Sequence, residues 1–212
     1  MNRTELIILA EQIDRDFLPF VRRPSRYIGG EINQIKKDLH NCALKVALCF
    51  PDTYEVGMSY TGLAIIYDIL NKMDDVAAER VFAPWLDAEG ILRKKNIPLF
   101  SLESRAVVNS FDVLGFSLTS ELCYTNVLNM LDLAGIPVLA LERGDTYPLV
   151  IAGGTCALNP EPLADFVDAF VIGDGEEVIL EFLEAWRGEK GRGKKALLRK
   201  LAAVPGVYVP GL

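Results

Sequence analysis

From Leu44 onward, short apolar runs alternate with segments of helical periodicity, and this alternation constrains the fold more than any other feature of the chain. A strand buried on both faces reads as a continuous apolar run. Joining two such strands in parallel requires a crossover long enough to hold a helix. The candidate strands are Leu44–Phe50, Glu79–Phe82, Leu99–Leu102, Val113–Leu118, Val138–Leu141, Leu149–Ala152 and Ala169–Ile172. Helical segments are expected at Gly62–Lys72, Asp87–Lys95, Glu121–Ala134 and Glu176–Arg187, with a short turn near Pro162–Phe166. A last helix near Lys195–Ala202 and a terminal strand Gly206–Val209 follow. The pattern predicts an α/β fold: a Rossmann-like parallel sheet flanked by helices.

Two segments stand outside this alternation. Residues Thr4–Phe17 carry Leu6, Ile7, Ile8, Ile13 and Phe17 among charges, an amphipathic helix closed by Pro19. Leu18–Asp38 contains Pro19, Pro24 and the Gly29-Gly30 pair and reads as an extended arm with a turn, its Arg22, Arg23 and Arg26 on the surface. The expected organisation is a helix and arm over 1–43, the Rossmann-like domain over 44–190, and a helix and strand over 191–212.

Charge and cysteine usage exclude several functions. The net charge of −7 gives no electrostatic basis for binding nucleic acid. The one basic block, Arg187–Lys200, reads as a solvated helix or linker. Cys42, Cys49, Cys123 and Cys156 are too widely spaced for a C-x-x-C metal pair or a disulfide framework. No apolar stretch long enough for a membrane span or a signal peptide occurs, so a cytoplasmic protein is expected, with no membrane partner. The single histidine, His40, lies in a polar run ahead of the first strand and is expected in solvent rather than in a catalytic triad.

In an open parallel sheet the loops leaving the carboxyl ends of the strands line one crevice, so polar and glycine residues there carry the most functional weight. Four loops qualify. The first strand is followed by Asp52, Tyr54, Glu55, Gly57 and Met58. The run Ser117, Thr119, Ser120 and Glu121 follows Val113–Leu118, with Ser120 placed to cap a helix. Next come Gly153, Gly154, Thr155 and Cys156, where paired glycines permit close approach to backbone. The last loop holds Gly173, Gly175 and Glu176. No residue is assigned a catalytic role, and no metal ligand set is found.

The usual nucleotide fingerprints are absent. The first loop has only Gly57 where a dinucleotide site needs G-x-G-x-x-G, and Gly173-Asp174-Gly175 meets Val178 where the third glycine belongs. No G-x-x-x-x-G-K-[ST] occurs. Asp52, Tyr54 and Glu55 form neither a flavin-phosphate loop nor a phosphoacceptor site.

Several segments together resemble a known family: Pro24–Glu31, Phe50–Ser59, Arg80–Trp85, Ser101–Arg105, Tyr124–Leu131, Ala152–Gly154 running to Asn159–Pro162, and Val171–Glu177. Across nearly the whole chain they are similar to the N-terminal, cobalamin-binding-type domain of radical S-adenosylmethionine proteins, in an uncharacterised subgroup. The resemblance implies a cobalamin over the strand ends, with Ser117 and Thr119 against its tail and Gly153-Gly154 leaving room for it. It also implies a downstream radical barrel as partner. The family's D-x-H-x-x-G motif has a cobalt-ligating histidine; here Asp52 and Gly57 are kept and Tyr54 takes that place, so cobalamin would be held without a histidine. The cluster motif C-x-x-x-C-x-x-C is absent. The iron–sulfur cluster and S-adenosylmethionine are therefore expected only in a full-length protein continuing beyond Leu212, not in this chain, which is expected to be non-catalytic. The alternative expectation is a degenerate docking domain that binds no cofactor and packs on the radical barrel or a protein partner.

Overall fold

The computed structural model describes residues 2–212. Its strands are β1 (Leu44–Phe50), β2 (Val76–Phe82), β3 (Val113–Ser117), β4 (Leu149–Gly153), β5 (Ala169–Val171) and β6 (Val207–Tyr208), joined in one sheet of order β2-β1-β3-β4-β5-β6. β1 to β5 are parallel, and β6 returns antiparallel to β5. The α/β expectation holds.

The helices are α1 (Arg3–Asp16), α2 (Tyr54–Met58), α3 (Thr61–Asn71), α4 (Leu86–Lys95), α5 (Tyr124–Leu133), α6 (Gly175–Glu189) and α7 (Lys194–Leu201). Two cores follow from their placement. Ile13 and Phe17, Leu92, and Val127 and Met130 bring α1, α4 and α5 onto one face, against Ala47, Leu114 and Phe116. Leu63 and Tyr67 of α3, Phe182 and Leu183 of α6, and Leu197 of α7 cover the other face against Leu48 and Ile151. Each fully buried large apolar side chain contributes roughly 1.5–3 kcal/mol, so both layers are needed to hold the sheet. α1 begins at a reciprocal cap, Asn2 with Glu5, and α4 ends at Asn96 in the left-handed region (φ 52°).

The chain moves from β1 outward to β2, then back across to β3. The connections after β1 and β3 therefore leave on opposite faces, which makes the carboxyl ends of these two neighbouring strands the topological switch point.

Two expected strands do not form. Leu99–Leu102 runs beside β2 but makes a tight turn, with Ser101 N–H donating to the Ala106 carbonyl at 2.9 Å and a lone bridge between Phe100 and Val107. The outer edge of β2 is satisfied partly by side chain: Leu102 N–H donates to the Arg80 carbonyl, and the Glu103 carboxylate accepts the Arg80 N–H. Val138–Leu141 leads into a 3₁₀ turn at Ala140–Glu142. Its carbonyls at Pro137 and Val138 are taken by the Arg143 guanidinium, both at 2.9 Å, instead of by a neighbouring strand. In both cases a buried charged group claims backbone groups that a ladder would have used.

The arm ahead of β1 contains 3₁₀ turns at Leu18–Phe20 and Pro24–Arg26 and folds along the β2 side of the sheet. Gly29, at φ +70°, lies so close to the Leu102 carbonyl that a Cβ there would sit 2.6 Å from its oxygen. The basic block runs through the end of α6 and into α7, with Arg187 paired to Asp75 at 2.9 Å and Lys194 to Asp168 at 2.8 Å.

Candidate functional site

The four loops do leave the same edge of the sheet, and three of them interlock. After β3, Leu118 N–H donates to the Gly153 carbonyl at 2.7 Å, and the Leu118 carbonyl accepts Cys156 N–H at 3.0 Å. Gly154 crosses beside this pair at φ +105°, where a Cβ would lie 2.7 Å from the Leu118 oxygen. Gly154 is thus required first by the crossing of two backbones. The loop after β1 joins through Asn126 Nδ2, which donates to the Pro51 carbonyl at 2.9 Å, and through Cys123 Sγ, 4.0 Å from Asp52 Oδ2. Burial, and then the Asp52 carboxylate, raise the Cys123 thiol above its ordinary value. Ser120 caps the turn that leads into α5, accepting Leu122 N–H at 3.3 Å, and Glu121 beside it is exposed.

The other residues of the first loop point elsewhere. They form α2, a short helix rather than the expected open loop, and this helix faces β2 and the arm. Tyr54 donates its hydroxyl to Glu31 Oε1 at 2.7 Å and sets its ring edge-on against Phe82. Burial, reinforced by Glu31, pushes the Tyr54 phenol up to about 12. Glu55 pairs with Arg23 at 3.1 Å and Arg26 at 2.9 Å. Burial would raise its carboxyl, but the two guanidinium groups outweigh it and hold it below the ordinary value. Met58 Sδ accepts from Arg80 Nη1, and Gly57 lies beneath the Phe82 ring, where a Cβ would approach to 2.4 Å.

The loop after β5 places Gly173 at φ +113° and starts α6 at Gly175, whose Cα faces Ile66 of α3. Glu176 and Glu177 lie in the first turn of α6, and with Asp52, Asp174, Glu121 and Thr155 they make the rim polar and mainly acidic. An acidic rim disfavours a polyphosphate guest and tolerates a neutral, amide-bearing one.

A row of less buried positions lies in the sheet. In β3, β4 and β5 the residues that are not fully buried are Gly115, Ser117, Gly153 and Val171. Register pairs Ser117 with Gly153 and Gly153 with Val171, and Gly115 lies two residues before Ser117, so all four share one face. That face is the one covered by α3, α6 and α7, since Gly115 sits between Leu48 and Ile151. Cβ atoms at Gly115 and Gly153 would meet ordinary contacts, at 3.7 Å from Leu48 and 3.6 Å from Val171. Each position therefore has room for a methyl group. Gly115 was not among the sequence candidates. Its signal is a glycine inside an otherwise bulky strand, which marks close approach of a ligand or another backbone.

Among the described residues no three His, Cys, Asp or Glu side chains are placed to hold a metal ion, and no helix is long and apolar enough to cross a membrane. His40 is exposed and precedes β1, so it lies at the opposite edge of the sheet, separated from the crevice by the seven residues of β1.

In comparison with known proteins, a family model described as "Radical SAM proteins, N-terminal" matches residues 62–210. The matched stretch includes the rows on β3, β4 and β5 and begins after β1 and α2. No curated protein matches the chain.

Proposed function

Since the chain belongs to the family of radical SAM protein N-terminal domains, we propose that it is a cobalamin-holding module serving a radical S-adenosylmethionine domain of the same polypeptide. The observation that carries this reading is the row of small, incompletely buried residues, Gly115, Ser117 and Gly153, that runs across β3 and β4 to the β3 side of the switch point. A cradle of two glycines and a serine suits a broad ligand whose tail must enter beside the backbone. Ser117 offers it a hydroxyl, Thr119, Ser120 and Thr155 line its approach, and Gly173, Gly175 and Glu176 bound the far side.

The cofactor would be held without a protein ligand to cobalt. The sole histidine is a strand length away, about 20 Å at 3.3 Å per residue. Tyr54 is already committed to Glu31 and Phe82. When bound, cobalamin supplies a cobalt centre able to carry a methyl group. The residues of this chain position it and shield it, while cleavage of S-adenosylmethionine is assigned to the radical domain and its iron–sulfur cluster.

Titration of the chain with hydroxocobalamin tests this reading by its visible spectrum and by co-elution on gel filtration. Binding should be lost in Gly115→Leu, which fills the row, and thermal melts of the same variant separate loss of binding from loss of fold. Unchanged spectra together with no co-elution overturn the proposal.

A second reading, a docking domain without cofactor, is favoured by a different observation. Leu122 and Leu158, 89% and 73% exposed, present apolar side chains next to the crevice. A partner seated there would bury them whether or not the row is filled.

A further inference from the structure

The chain is unevenly charged. Residues 106–186 hold thirteen acids and one base, Arg143, which is buried against Asp168. This stretch, which forms β3, β4, β5 and their loops, thus carries −12 in a chain of net −7, and the remainder is net positive. In that remainder exposed acids meet cations, as Asp14 meets Arg105, Asp68 meets Lys72 and Asp75 meets Arg187. On the crevice rim Glu121, Asp174, Glu176 and Glu177 are exposed, and none has an ion-pair partner among the described residues. The dipole of α6 favours acids in its first turn, but it accounts for neither the missing bases nor the apolar side chains among these acids. Those side chains, Leu122 and Leu158, are exposed on the two loops that cross at Leu118. The Leu118 carbonyl accepts Cys156 N–H at 3.0 Å, and the Tyr124 hydroxyl donates to the Cys156 carbonyl at 3.4 Å, so both leucines stand on one fixed platform.

We propose that the β3–β5 part of the crevice rim docks a basic protein surface, one that presents lysine and arginine around apolar side chains. This deepens the docking reading and rests on its premise that a partner covers Leu122 and Leu158; it does not depend on whether the row beneath is filled. An apolar centre ringed by charge is the anatomy of a protein interface. Acids with no cation of their own are complementary to an incoming one, and their summed field speeds and orients its approach. The same field repels nucleic acid and anionic lipid. It also opposes a two-fold contact between copies of the chain, which would set the acids of one rim against those of the other.

Isothermal titration of the chain with short synthetic peptides tests the proposal. One combines lysine with leucine, a second lysine with serine, and a third glutamate with leucine. The lysine–leucine peptide should bind saturably, at least tenfold more tightly than the other two, and more weakly as salt is raised. Leu122→Ser with Leu158→Ser, which leaves the net charge unchanged, should weaken it at least tenfold, and so should Glu176→Lys with Glu177→Lys. Glu11→Lys with Asp74→Lys alters the net charge equally at exposed positions away from the rim and should leave binding within twofold. Equal affinity for the lysine–serine peptide, equal loss in the Glu11 and Asp74 variant, or full binding by the leucine variant overturns the proposal. Tighter binding of the glutamate–leucine peptide overturns the basic partner and leaves the docking reading standing, whereas no saturable binding by any of the three overturns both. Self-association of the chain at low salt, abolished by Glu176→Lys with Glu177→Lys, assigns the rim to a second copy and overturns a separate partner.

Discussion

One carboxylate, Glu103, holds both the side chain and the backbone of Arg80. It accepts from Arg80 Nε at 2.6 Å and from Arg80 N–H at 2.7 Å, with the two side chains 0% and 3% exposed. The Arg80 guanidinium also stacks over the Tyr67 ring at 4.5 Å and reaches Asn33. Burial pushes the Glu103 carboxyl up to about 7, against the opposing pull of Arg80. Glu103→Ala would leave a buried cation and an unpaired strand-edge N–H, and should destabilise the chain by about 3–5 kcal/mol. Urea unfolding should show a lower midpoint at unchanged slope.

Glu79 gives a pH dependence of definite sign. It is buried with no cation in contact and accepts from the Ser101 hydroxyl at 2.5 Å and the Ser104 hydroxyl at 2.7 Å. Burial raises its pKa above the ordinary 4.5, and the serine bonds offset only part of that rise. The folded state therefore binds this proton more tightly than the unfolded chain. Its contribution to stability is fully present below the unfolded value and is lost as pH rises through the raised folded value. Glu79→Gln, which keeps an acceptor for both serines, should flatten that part of the stability–pH curve in thermal melts.

Adjacent glycines should respond differently to the same change. Gly154→Ala meets both a positive φ and the Leu118 carbonyl, and should cost roughly 1–3 kcal/mol. Gly153→Ala meets only Val171 at 3.6 Å and should leave the melting temperature nearly unchanged. Loss of ligand binding in a Gly154 variant would therefore report on folding, whereas loss in a bulky Gly153 variant would report on occupancy.

Removing the Tyr54 hydroxyl should matter to the arm and not to the crevice. Tyr54→Phe loses the bond to Glu31, worth about 0.5–1.5 kcal/mol. Amide exchange should rise around Glu31, while the spectrum of added hydroxocobalamin should match that obtained with the unmodified chain.

The sequence pattern was most informative where burial alone decides structure. β1, β3, β4 and β5 fall within a residue of their apolar runs, because a strand covered on both faces reads as a near-continuous apolar run. It misled at Leu99–Leu102 and Val138–Leu141, where Glu103 and Arg143, distant partners no local window contains, took the backbone groups. The crevice was legible as a set of loops because topology converges them. Their division into an interlocked group around Leu118 and a separate α2 held by Arg23, Arg26 and Glu31 was not, since it depends on where the arm lies. Gly115 escaped notice because register, not neighbouring sequence, sets it beside Ser117 and Gly153.

The Phe82 ring over Gly57 bears on how descent can be read from such a chain. The glycine that completes the cobalamin-like loop motif packs under an internal aromatic, and a Cβ there would force the Phe82 ring to shift. Selection for folding alone would preserve it. A lineage that had abandoned its corrinoid would still carry Gly57, and by the same logic Gly154, so these two signature positions would outlast the trait they are taken to advertise. Gly115, where a Cβ would meet only ordinary contacts, is where such a loss would first be written.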